Sequence, residues 1–165
     1  MKVVGFNGSA RKDGNTAILI NDVFRELKSH GIETELFQMA GKKITGCSAC
    51  YRCAETKDGV CAIKDDPVNE WIEIMKSADA IILGSPVYFA DLTASMKGFI
   101  ERAGMVSRSG GGLFKGKIGA SVVAVRRVGA IHAFDSMNHF FLITEMIICG
   151  RELLEYRNRK KHRRS

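Results

Sequence analysis

The chain has 165 residues, 45% of them hydrophobic and 26% charged, which suits one domain with a sizeable core. Its formal net charge is +7, but residues 151–165 carry seven Lys and Arg against two Glu, so the other 150 residues are near neutral; a solvated basic tail is expected at 151–165, and a nucleic-acid partner is not. No apolar run approaches the ~18 residues of a membrane helix, and the apolar start is too short for a secretory signal, so a cytoplasmic protein with no membrane partner is expected.

Lys2–Asn7 is a short apolar strand, and Asn15–His30 has apolar residues at Ile18, Leu19, Val23, Phe24 and Leu27, the spacing of a helix, with Gly31 as its stop. Glu33–Met39 alternates as a second strand. Residues 40–66 hold four of the five cysteines and no clear period, which predicts a long functional loop. Pro67 suits the first turn of a helix running to Ser77. An unbroken apolar strand at Ala80–Gly84 is followed by a helix at Leu92–Ala103 and a Gly- and Ser-rich loop at Met105–Gly116. Ile118–Val125 is a buried strand, Ala130–Ile143 a helix, and Met146–Cys149 a short fifth strand with Cys149 as a packing residue. Five strands separated by helices predict an α/β domain over residues 1–150 with a parallel sheet. The strands lack polar alternation, as expected when helices cover both faces. Ligands of such sheets bind at the carboxyl ends of the strands, so the loops after strands one, three and four are the functional ones.

Directly after the first strand comes Asn7-Gly-Ser-Ala-Arg-Lys-Asp-Gly-Asn-Thr16, and then a helix. Ser9, Asn15 and Thr16 offer hydroxyl and amide groups, Gly8 and Gly14 allow close backbone approach, and Arg11 suits bidentate contact with an oxyanion. The helix start adds free N–H groups and the positive end of its dipole. Together these make a site for a phosphate monoester; the plain alternative is a strand–helix turn with Asn15 as cap. The pattern is neither a dinucleotide fingerprint nor a nucleoside-triphosphate loop.

Gly8-Ser-Ala-Arg-Lys-Asp-Gly-Asn-Thr16 resembles the Gly-Ser-x-Arg-x-x-Gly-Asn-Thr signature of the NADPH-dependent FMN reductases and iron–sulfur flavoproteins. The resemblance implies a flavodoxin-like three-layer sandwich with strand order 2-1-3-4-5, and FMN held through its phosphate by Ser9, Arg11, Gly14, Asn15 and Thr16. After the third strand, Gly84-Ser-Pro-Val-Tyr-Phe-Ala90 is similar to the family's Gly-Ser-Pro-x-Tyr/Trp loop. That implies a cradle for the ring and ribityl chain from Ser85, Pro86, Val87, Tyr88 and Phe89; taken without the first motif, the segment reads instead as a loop with two core aromatics. After the fourth strand, Arg126, Arg127 and Gly129 are either solvated loop residues or neighbours of the flavin, the arginines stabilising negative charge. His132 and His139, on the following helix, are expected to be structural or surface residues.

Cys47, Cys50, Cys53 and Cys61 have the spacing C-x2-C-x2-C-x7-C. In a reducing compartment four thiolates suit a [4Fe–4S] cluster or a tetrahedral zinc, or they stay without metal. The compact triplet favours the cluster over zinc, whose sites use separated pairs, and it is similar to the cysteine motif of the iron–sulfur flavoproteins.

The leading functional expectation is an FMN-dependent oxidoreductase with a [4Fe–4S] cluster, passing electrons from NAD(P)H or ferredoxin to small acceptors such as quinones or oxygen species. The alternatives are an NAD(P)H-dependent FMN reductase without a cluster and a non-enzymatic electron carrier; neither needs a covalent nucleophile. The resemblance further implies a homodimer or homotetramer, with Gly110–Gly112 reaching a neighbouring protomer. Family members continue past the fifth strand with a final helix. Here only Leu153, Leu154 and Tyr156 of the tail are available to pack. A missing final helix, an exposed apolar sheet face and a frameshifted or truncated C-terminus are the corresponding expectations.

Overall fold

The computed structural model of the protein describes residues 1–149; the basic tail predicted at 151–165 lies outside the described residues. The elements are β1 (Lys2–Asn7), α1 (Asn15–Ser29), β2 (Glu33–Gln38), α2 (Arg52–Thr56), α3 (Val68–Ser77), β3 (Ala80–Pro86), α4 (Ala94–Ser109), β4 (Ile118–Ala124), α5 (Ala130–Ile143) and β5 (Ile147–Ile148). The strands form one parallel sheet in the order β2-β1-β3-β4-β5. The alternation of elements predicts the parallel α/β sheet, and its strand order is the flavodoxin-like one that the family resemblance implies.

Successive side chains of a strand point to opposite faces, and the two cores follow from that. Val4 and Phe6, Ile81 and Leu83, and Val123 bury one face against α3, α4 and α5. Val3, Ala80, Ile82 and Val122 bury the other against Ile20 and Phe24 of α1. Ile147 pairs in register with Ile118 on the α1 side and is 61% exposed. Among the described residues no second helix covers that end of the sheet. No helix among the described residues is long and apolar enough to cross a membrane.

Three element assignments differ from expectation. Helix α4 runs through Gly104, Ser107 and Ser109, where small residues predict a loop. Gly104 is buried and faces the Phe140 ring, where a Cβ would make ordinary contact at 3.6 Å, so burial of this face of α4 against α5 outweighs the low helix propensity of glycine. The cysteine loop contains a short helix, α2. Cys149 is exposed rather than packed, because it follows a two-residue edge strand.

Phe99 of α4 lies at the centre of an aromatic group, with its ring centroid 4.8 Å from Phe6 and 5.6 Å from Trp71. It is fully buried. Phe99→Ala is expected to cost about 3–5 kcal/mol. The measurement is urea unfolding followed by the fluorescence of Trp71, the single tryptophan; the midpoint should fall with the slope unchanged.

Candidate functional site

The loop after β1 is built from its own polar side chains. Asn7 Nδ2 donates to Gln38 Oε1 (2.8 Å), and Asn7 Oδ1 accepts from the Ser9 N–H (3.0 Å). Ser9 Oγ accepts from the Arg11 N–H (3.0 Å). These turns bring the chain to Gly14, which is the N-cap of α1; Asn15 is the first helical residue and not the cap. No side chain caps this helix, and its first turn holds no acidic residue. The N–H groups and the positive dipole end are therefore not neutralised locally. Thr16, in that first turn, is buried, and its hydroxyl has no hydrogen-bond partner. Only Thr34 shares this condition among the described residues. A buried hydroxyl without a partner costs free energy, so its presence at an uncapped helix start fits a bound oxyanion. The predicted anion residues Ser9, Arg11, Gly14, Asn15 and Thr16 thus share one loop, with the Arg11 and Asn15 side chains exposed.

Asn7 pairs in register with Gly84, so the loops after β1 and β3 leave the sheet side by side. Thr93 ties them together. Its hydroxyl donates to Gly8 O (2.8 Å) and accepts from the Met96 N–H (3.2 Å), while its N–H donates to Ser85 Oγ (3.0 Å). Thr93 was not singled out from the sequence; its place just ahead of a helix is the available signal. A cleft of about 260 Å³ opens between Ser9 and Ala10, Tyr88, Thr93–Ser95 and Met39–Lys42.

Beyond Pro86 the backbone turns sharply. Tyr88 and Asp91 exchange two backbone hydrogen bonds (2.8 and 3.3 Å) around Phe89 and Ala90, both at positive φ (49° and 68°). Such angles cost Cβ-bearing residues about 1–2 kcal/mol each. The turn leaves the Phe89 side chain fully exposed and Tyr88 half-exposed, so neither is a core aromatic. The loop after β4 meets this turn. Gly129 has φ 88°, and a Cβ there would overlap the Ala90 backbone. His132 Nε2, in the first turn of α5, lies 3.2 Å from Asp91 Oδ2, a surface contact between this helix start and the turn after β3. Arg126 and Arg127 are exposed in the same loop.

The cysteine segment lies across α4. The Cys47 N–H donates to Glu101 Oε2 (3.3 Å), and a Cβ at Gly98 would come within 3.0 Å of the Thr45 backbone. Ala49 and Tyr51 have positive φ, which coils the chain between the first three cysteines. The Ala49 N–H donates to Cys47 Sγ (3.4 Å), and Arg102 Nε donates to Cys61 Sγ (3.3 Å). Hydrogen bonds from the Arg52 N–H and the Ser48 hydroxyl hold the Cys50 thiol below its ordinary pKa. For Arg102, burial acts to lower the pKa, but hydrogen bonds to Asp66 and Cys61 outweigh it and hold the guanidinium above its ordinary value. Donors thus face three of the four sulfurs, which is the chemistry thiolate ligands require. Among the described residues no three His, Cys, Asp or Glu side chains stand where they can hold one metal ion.

These features define the class as a flavodoxin-like α/β protein whose first helix starts without a side-chain cap. The chain belongs to the NADPH-dependent FMN reductase family, whose model matches residues 1–155. It is 40% identical over 152 residues to an iron-sulfur flavoprotein of Methanocaldococcus jannaschii, covering 91% of this chain and 76% of that one. It is 39% identical over 129 residues to an iron-sulfur flavoprotein of Archaeoglobus fulgidus, covering 78% of this chain but only 56% of that one. An archaeal flavodoxin superimposes with a TM-score of 0.61 at 17% identity, covering 92% of this chain and 80% of that one.

The depressed Cys50 thiol gives a pH test. In metal-free protein, alkylation of Cys50 by iodoacetamide should have its midpoint pH below the ordinary thiol range. The rate falls as pH drops through that lowered pKa, because only the thiolate reacts. Ser48→Ala removes one donor and should move the midpoint up, read by mass spectrometry of the Cys50 peptide.

Proposed function

We propose that the chain is an FMN-dependent oxidoreductase that takes electrons from NAD(P)H or ferredoxin and passes them to small acceptors such as quinones or oxygen species. The observation that carries this reading is the partnerless, buried Thr16 hydroxyl at the uncapped start of α1. Ser9, Arg11, Gly14, Asn15 and Thr16 would hold the FMN phosphate. Ser85, Pro86, Val87, Tyr88 and Phe89 would border the ring with backbone groups and aromatic surface, and Gly129 brings the third loop against that border. The flavin, when bound, supplies one- and two-electron redox chemistry. The protein binds it, limits water at the ring and sets the local charge. Arg126 and Arg127 put positive charge at the carboxyl end of β4, which favours negative charge developing nearby.

Cys47, Cys50, Cys53 and Cys61 are proposed as ligands of a [4Fe–4S] cluster. The support is the donors aimed at their sulfurs and the names of the two archaeal relatives. A homodimer or homotetramer is proposed as the working assembly; light scattering of the FMN-loaded protein tests it, and a monomer sinks it.

Two measurements test the cofactor assignments. FMN titration, read as quenching of flavin fluorescence, should show binding that weakens about tenfold or more in Thr16→Val, since a hydrogen bond to a charged group contributes about 1.5–3 kcal/mol. The same change should leave the FMN-free protein as stable or more so, because it removes an unsatisfied hydroxyl. Folded protein that does not take up FMN refutes the reading. Anaerobically purified protein should contain about four iron and four sulfide per chain. Iron-free protein that still turns over NAD(P)H with a quinone would instead be a reductase without a cluster.

A further inference from the structure

The four cysteines are not held alike. Cys47 and Cys50 are exposed and kept in place by neighbours in their own loop and by Glu101, whereas Cys61 is buried and pinned from two helices. From α3, Asn69 Oδ1 accepts from the Cys61 N–H (2.7 Å), and Asn69 Nδ2 donates to the carbonyls of Cys61 and Ile63 (3.0 Å each). From α4, Arg102 has no exposed surface and uses three donors: Nε to Cys61 Sγ (3.3 Å), Nη2 to Ile63 O (2.9 Å) and Nη1 to the Asp66 carboxylate, itself 2% exposed.

A neutral thiol is a weak acceptor. Aiming a donor of a fully buried guanidinium at one gains little, and burying the ion pair is costly unless its donors are well used. The arrangement is matched when the sulfur carries negative charge, as a metal-bound thiolate does. We infer that Arg102 is a positioning residue for Cys61, and that Arg102 and Asp66 together set the reduction potential of the iron–sulfur centre this cysteine ligates. The inference rests on the cluster reading above. Adding an electron makes such a centre more negative. The Arg102 guanidinium stabilises that added charge, and the Asp66 carboxylate beside it opposes it, so each offsets the other. Net charge and hydrogen bonds to ligand sulfur are among the factors that set cluster potentials.

The test uses the full-length, cluster-loaded protein, with the midpoint potential read by redox titration of the electron paramagnetic resonance signal of the reduced cluster. Arg102→Gln is expected to move the potential to more negative values and Asp66→Asn to more positive ones, with the double variant between them. A role confined to packing would not split the two in opposite directions. Should Arg102→Gln fail to fold, Asp66→Asn decides by itself: an upward shift supports the inference, and an unmoved potential overturns it. Loaded variants whose potentials match the parent, or native-like variants that both refuse the cluster, overturn it while leaving the cluster reading intact. Parent protein that holds no iron after anaerobic reconstitution overturns the cluster reading, and this inference with it.

Discussion

Parallel pairing of β1 with β3 sends the chain out of the sheet twice at the same edge, at Asn7 and at Gly84, which lie opposite each other in the register. Every functional feature at that edge depends on this pairing. The Gly8 N–H donates to Gly84 O (2.7 Å), one step beyond the ladder, so the two exits are hydrogen-bonded as well as adjacent. Thr93 then fastens both loops to the start of α4. A loop carrying orphan N–H groups and a loop carrying aromatic surface are thereby fixed on a sheet buried on both faces, with little freedom to drift apart.

The third loop joins them by a different means. Gly129 lets the chain after β4 press against Ala90, and the turn at Phe89 and Ala90 holds two Cβ-bearing residues in left-handed backbone. Strain of that kind persists only where the surroundings over-determine it, and it concentrates at functional sites. Here it projects Phe89 into solvent and keeps Tyr88 at the cleft. The segment from β2 to the first cysteine forms the opposite wall of the same cleft through Met39–Lys42. The loop after β1, the aromatic turn and the approach to the cysteine segment therefore border one space.

The cysteine segment shows how a loop without a periodic pattern acquires structure. Its order is borrowed from α3 and α4 through Asn69, Arg102, Glu101 and the close approach at Gly98. Asp66 neutralises Arg102, and the pair holds residues 61–66 against the core, leaving Cys47 and Cys50 exposed and Cys53 half-buried against Ser109 of α4. Cys61 is thereby fixed by buried polar contacts, whereas Cys47 is held by its own loop and by Glu101.

The order of elements, the parallel sheet and the family were legible in the chain itself, because each rests on local chemistry: apolar periodicity, a run of small polar residues ahead of a helix, and cysteine spacing. The end of α4 was misread because Gly104 and the serines signal a loop locally, while packing against Phe140 overrides that signal. Thr93 and Arg102 are single residues whose partners lie 85 and 41 positions away, at Gly8 and Cys61, and no local pattern encodes such separations. The sequence by itself determined where the strands and helices fall and which small polar residues and cysteines stand together along the chain. Tertiary structure alone decided that Phe89 faces solvent, that Cys61 is clamped by a buried arginine and that the loops share one cleft, because these depend on where the sheet brings distant segments together and on which polar groups are left to satisfy one another.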